Sequence, residues 1–238
     1  MSGFLASVDN LSDAIIVKQN GADIIDLKQP SQGALGALST STIQSIVDHL
    51  WESSIVSATV GDLDADISLI LDRIQAVADT GVDYVKVGMF SQAHIDHCLP
   101  SFEYHARRGV KIIAVLFADI EFDFEATVRA CKQARLSGVM LDTAGKKSGS
   151  LLHHRSIDEL EQFILSAKQY GLLTGLAGSL RAQDIATLLP LKADYLGFRT
   201  ALCHDQLRTA GISANAVKAI KSLVFSDRGQ IQQAKVFF

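Results

Sequence analysis

Residues 21–28 read Gly-Ala-Asp-Ile-Ile-Asp-Leu-Lys, and the same device returns as Thr80-Gly81-Val82-Asp83-Tyr84-Val85-Lys86, Ser137-Gly138-Val139-Met140-Leu141-Asp142 and Tyr170-Gly171-Leu172-Leu173-Thr174-Gly175. In each stretch a helix ends at glycine and a buried strand begins within two residues. Such recurrence favours one repeating βα unit over helices and strands held in separate blocks.

Working outward, apolar or β-branched runs occur at Phe4 to Val8, Ala22 to Lys28, Ile55 to Val60, Tyr84 to Met89, Lys111 to Phe117, Gly138 to Thr143, Leu172 to Gly178 and Tyr195 to Thr200. Helical patterns lie between them. They include Leu11 to Gln19 stopped by Gly21, Ile67 to Asp79 stopped by Gly81, Glu121 to Leu136 stopped by Gly138, and Ile157 to Tyr170 stopped by Gly171. Eight such units predict an α/β protein, a single (β/α)8 TIM barrel over residues 1–225, with 226–238 a tail outside the repeat. An open doubly wound sheet is disfavoured, because no G-x-G-x-x-G follows the first strand. The tail ends in the apolar Val236-Phe237-Phe238, suited to docking on this or another subunit.

Composition narrows the function classes. With 238 residues, 48% hydrophobic and 20% charged, the chain can bury one large core. A net charge of −4 without a cationic tract argues against nucleic acid and anionic membranes as partners, so a small molecule is expected. Cys98, Cys131 and Cys203 are too scattered for a disulfide framework or a zinc site. His153 with His154, and His94 with His97, lack a third ligand at metal-binding spacing, so no metal is expected. Neither a basic leader nor an apolar run of about 18 residues is present, which suggests a cytoplasmic protein. A homo-oligomer is expected, since barrels associate through their outer helices.

Side chains alternate along a strand, so parity sorts lumen from outer face. Ile25 and Leu27 form an outer set and leave Asp26 and Lys28 facing inward; Val85, Val87 and Met89 do the same for Lys86, and Val139 and Leu141 for Asp142. Charge in a barrel lumen costs several kcal/mol unless it is paired or reached by ligand. Lys28, Lys86 and Asp142 also stand at the ends of strands where barrel active sites lie. A lysine amine crowded by other cations and partly desolvated becomes a nucleophile or base, and the carboxylates steer protons. The competing reading makes these groups lumen salt bridges, Lys28 with Asp26 or Lys86 with Asp142, serving stability alone. Ser57 and Thr59 also look inward, as substrate contacts or as filler. Lys146, in the loop after the sixth strand, can reach over the mouth, whereas Lys111 falls near the barrel bottom and Asp119 at the other end of its strand.

A phosphate site is expected after the seventh and eighth strands. There the N–H groups of Gly178 and Ser179 would open a helix beginning near Arg181, whose N-terminal dipole favours an anion, and Arg199, inward by parity, would clamp it bidentately.

The segments FLASVDN (4–10), GADIIDLKQPSQGALGA (21–37), IVSATVGD (55–62), GVDYVKVGM (81–89), GVMLDTAGKK (138–147) and GLAGSL (175–180) resemble the (5-formylfuran-3-yl)methyl phosphate synthase family. That resemblance implies condensation of two glyceraldehyde 3-phosphate molecules, with loss of phosphate and water, to a furan precursor of methanofuran, without a redox or organic cofactor. It further implies that Lys28 is the Schiff-base lysine and Lys86 the proton acceptor, with Asp26, Asp142 and Lys146 in support. The chain departs from the family at Phe117, where tyrosine is usual, and in RTALCHDQLRTAG (199–211), where the family has a glycine-rich segment after its eighth-strand arginine and cysteine. Two alternatives stand beside this reading: another Schiff-base aldolase or isomerase of phosphorylated sugars, and a barrel that only binds a phosphorylated metabolite.

Overall fold

The order of elements in the computed structural model, which describes residues 2–50, 54–145 and 149–225, alternates strand and helix throughout. β1 (Gly3–Val8) is followed by α1 (Leu11–Gln19), β2 (Ile24–Leu27) by α2 (Thr40–Leu50), and β3 (Ile55–Thr59) by α3 (Ile67–Ala78). β4 (Tyr84–Met89) leads through a π turn at His94–Cys98 and a 3-10 turn at Leu99–Phe102 into α4 (Glu103–Arg107). β5 (Ile112–Phe117) is paired with α5 (Phe124–Gln133), and β6 (Gly138–Asp142) precedes α6 (Leu151–His154) and α7 (Ile157–Gln169). β7 (Leu173–Leu176), α8 (Ile185–Leu188), β8 (Tyr195–Phe198) and α9 (Ala214–Phe225) complete the ring.

All eight strands run parallel and close in chain order, β8 pairing with β1 through Phe4 opposite Leu196. The predicted barrel is therefore present. Residues 226–238, including the apolar tail end, lie outside the described residues.

Parity sorts the apolar residues into two separate cores. Ile25, Leu27, Val85, Val87, Met89, Val139 and Leu141 pack outward under the helices. Leu5, Ile113, Val115, Phe117, Met140, Ala177 and Tyr195 fill the lumen instead. Burying both faces is what gives these strands their nearly continuous apolar character.

Glycine stops hold for three helices: Gly21, Gly81 and Gly171 have φ of +93°, +81° and +69° beyond α1, α3 and α7. The fourth is corrected. α5 starts at Phe124 because the Asp123 carboxylate caps the Ala126 amide, and the backbone turns at Arg135, with φ of +60°, three residues before Gly138. Gly138 has a different task, since a Cβ there would stand 2.6 Å from the Leu173 carbonyl oxygen. Close approach of β6 to β7, not helix termination, requires it.

Candidate active site

Asp26 is the most enclosed charge in the molecule's lumen. Its Oδ2 accepts the Ser7 hydroxyl at 2.9 Å, and its Oδ1 accepts the Ser57 hydroxyl at 2.7 Å and the Lys86 ammonium at 3.0 Å. Ser7 and Ser57 are its register partners on β1 and β3, so three adjacent strands aim one cluster at the axis. Burial alone would raise the Asp26 pKa. The Lys86 and Lys28 charges and the hydrogen bonds from Ser57 and Lys86 overcome that, and the carboxyl is held below the ordinary aspartate value.

Lys28 follows β2 directly, its amide donating to the Val8 carbonyl at 3.0 Å. Its ammonium lies 3.7 Å from Asp142 Oδ2, an ion pair longer than a direct hydrogen bond. Asp142 ends β6, where its other oxygen accepts the Thr143 amide at 2.7 Å and its carbonyl accepts the Ala118 amide at 2.8 Å. The lumen pairs are thus Lys28 with Asp142 and Lys86 with Asp26. Both are exchanged relative to the pairing the sequence suggested. Residues two apart on one strand are separated by about 6–7 Å along it, and the stagger of a closed barrel brings other strands level with each instead. The neighbour at each amine is also a carboxylate rather than another cation.

The loop after β2 is held by a carboxylate the sequence reading passed over. Asp62 accepts the Ala34 and Leu35 amides at 2.8 and 2.7 Å, and a Cβ on Gly33, whose φ is +100°, would fall 2.0 Å from its Oδ2. Thr59 contributes by donating to the Gly36 carbonyl at 2.9 Å, a tether rather than an open contact surface.

At the ends of β7 and β8, Gly178 and Ser179 turn with φ of +103° and +51°. A Cβ on Gly178 would come 2.9 Å from the Thr143 methyl, so the turn packs onto the end of β6. Arg199 reaches the same cleft, but its guanidinium is engaged by the scaffold. It donates to the carbonyls of Ser7, Arg208 and Ala210 and pairs with Asp9 at 3.4 Å and Asp13 at 3.5 Å. Arg199 thus braces these loops while it also lines the cleft. Arg208 stands beside it. It donates to the carbonyls of Pro30 and Gly33, lines the cleft with Lys28, Asp142, Gly178, Ser179 and Thr200, and feels the Asp142 charge. Nothing in the local sequence signalled it, because it comes from an irregular segment with no strand parity.

The narrow cleft shares Ser179, Thr200 and Arg208 with a polar cavity of about 530 Å³ at the barrel mouth, which His153 and Arg181 also border. Lys146 lies outside the described residues. Asp119 fixes the start of its loop by accepting the Ala144 and Gly145 amides at 2.8 and 2.7 Å. Lys111 is exposed at the opposite end, 5.5 Å from the centre of the Tyr84 ring. Phe117 is fully buried and stacked on Phe90 with ring centres 4.6 Å apart, so no hydroxyl enters the lumen from β5 at that level. Among the described residues, no three of His, Cys, Asp and Glu converge as a metal site requires, and no helix is long and apolar enough to cross a membrane.

Residues 4–221 match the 4-HFC-P synthase family. The (5-formylfuran-3-yl)methyl phosphate synthase of Methanobrevibacter smithii is 32% identical over 92% of this chain and 97% of its own, and that of Methanopyrus kandleri 32% over 87% and 92%. Among solved structures, phosphoribosyl anthranilate isomerase from Thermus thermophilus superposes with a TM-score of 0.67 over 96% of this chain and 100% of its own, at 13% identity. At that identity the likeness concerns the fold alone.

Proposed function

Because the chain belongs to the 4-HFC-P synthase family, and is thereby an enzyme, we propose that it condenses two molecules of glyceraldehyde 3-phosphate to (5-formylfuran-3-yl)methyl phosphate, the furan precursor of methanofuran. The observation that carries this reading is the pair of lumen lysines, each beside its own carboxylate: Lys28 with Asp142 at the cleft, and Lys86 with Asp26 one level deeper.

In this proposal the Lys28 amine adds to a triose carbonyl and expels water as an imine. Lys86 in its amine form takes the proton from the adjacent carbon, and Asp26 holds the ammonium that results. Expulsion of the phosphate next to that carbon leaves a nucleophile at the carbon that carried it, and this carbon bonds to the central carbon of the second triose in its ketone form. Ring closure with loss of two waters gives the furan, and hydrolysis of the imine returns the lysine. Two triose phosphates then balance one furan phosphate, one inorganic phosphate and two waters. The phosphate that is retained would lodge at the Gly178-Ser179 turn beside Thr200 and Arg208, which line the cleft next to Lys28.

Mass spectrometry of the protein incubated with glyceraldehyde 3-phosphate, with and without borohydride, tests this reading. The expected result is a furan phosphate product, a reduced adduct on Lys28, and neither in folded Lys28→Ala. Folded wild-type protein giving no furan product would overturn it.

A further inference from the structure

Lys86 stands between two openings. The substrate cleft approaches the lysine cluster from the C-terminal ends of the strands. A second cavity, about 170 Å³, approaches it from the N-terminal ends and has no part in the chemistry described above. Its inner wall is Leu5, Ser57, Lys86, Ile113 and Tyr195, all buried, and its outer wall includes Ile24, Ile55, Tyr84 and Leu173 at the first positions of their strands. Ile55 and Leu173 are 44% and 36% exposed, so apolar side chains frame the mouth.

Size, lining and polarity together define what fits. An apolar cavity of about 150 Å³ is large enough to hold benzene. The wall here is mostly apolar, with two tyrosine rings, which suits a flat ring more than a chain or an ion. At the inner end Ser57 gives its only hydroxyl proton to Asp26, leaving the lone pairs of its oxygen to accept from a ligand. A phosphate or carboxylate is disfavoured there, since the Lys86 ammonium on the wall is already paired with Asp26 and the rest of the lining is mostly apolar.

We propose that this rear cavity is a second ligand site, taking a small uncharged ring that bears one hydroxyl group, and that its occupant acts on turnover by touching Lys86 from behind. The effect on turnover rests on the reaction proposed above; the binding does not.

Phenol is the probe. Thermal melts of wild type should show saturable stabilisation by phenol, weakened about tenfold or more in Ile55→Trp and Leu173→Trp, each filling the mouth, and retained in Arg208→Ala at the opposite end. Phenol-soaked crystals answer the same question without a variant, with the ring expected between Ile55 and Leu173. In steady-state assays phenol should lower kcat for glyceraldehyde 3-phosphate with KM unchanged. The site is refuted by a melt insensitive to phenol, or by binding that both tryptophan variants keep and Arg208→Ala loses. Competitive inhibition would remove the action through Lys86. Should the chain lack synthase activity, the melts and crystals still decide the site.

Discussion

Lys86 Nζ lies 3.0 Å from Asp26 Oδ1, and the two side chains are 1% and 0% exposed. An ion pair this enclosed is costly to break on one side only, because the buried Asp26 charge would keep the Ser7 and Ser57 hydroxyls but no adjacent cation to offset its burial. Lys86→Ala should therefore lose about 3–5 kcal/mol of stability, as for one-sided removal of other buried pairs. Lys86→Met with Asp26→Leu should recover much of that loss while remaining inactive. Urea denaturation of the two variants beside wild type checks the contrast.

Asp26 also sets a pH dependence. Its folded-state pKa lies below the ordinary aspartate value of 3.8, so the unfolded chain binds the proton first as acid is added. The stabilisation is complete above pH 3.8 and is lost as pH falls below it, towards the folded-state value. Denaturation of wild type and Asp26→Asn between pH 6 and about 2.5 should show a gap that is constant in the upper range and narrows only below 3.8.

Arg199 and Arg208 should separate cleanly. Arg199→Ala strands Asp9 and Asp13 and leaves three backbone carbonyls without their donor, so its main cost is to stability, of about 3 kcal/mol or more. Arg208→Ala should fold, raise KM for the phosphorylated triose by about 10- to 100-fold, and change kcat less, matching a lost charged hydrogen bond to phosphate. Melting temperature against KM for each variant is the measurement.

Gly33→Ala should be far costlier than its one methyl group suggests. The position needs φ of +100°, and the new carbon would meet Asp62 Oδ2 at 2.0 Å. Left-handed backbone alone costs about 1–2 kcal/mol for a residue with a Cβ. Displacing Asp62 also frees the Ala34 and Leu35 amides, loosening the loop beside Lys28. Stability and kcat should fall together, and hydrogen exchange at the Ala34 and Leu35 amides should quicken.

The eight strands, their order and the direction of Asp26, Lys28, Lys86 and Asp142 were legible because each depends on a few neighbouring residues. Period-two alternation assigns a side chain to one face, and a stop at Gly21, Gly81 or Gly171 places the next strand. The Glu121 to Leu136 helix was the exception, since Asp123 capping and a turn at Arg135 leave weaker marks than glycine.

By itself, then, the sequence determined the barrel, its inward charges and the family to which the lysine-bearing segments belong. Tertiary structure alone decided which charges meet: Lys86 with Asp26, Lys28 with Asp142, Arg199 with Asp9 and Asp13, and Arg208 over the cleft. The physical reason is that alternation fixes only the face of a strand, whereas a 3 Å contact between residues 26 and 86 depends on the stagger of the closed barrel and on loops carrying no periodic signal.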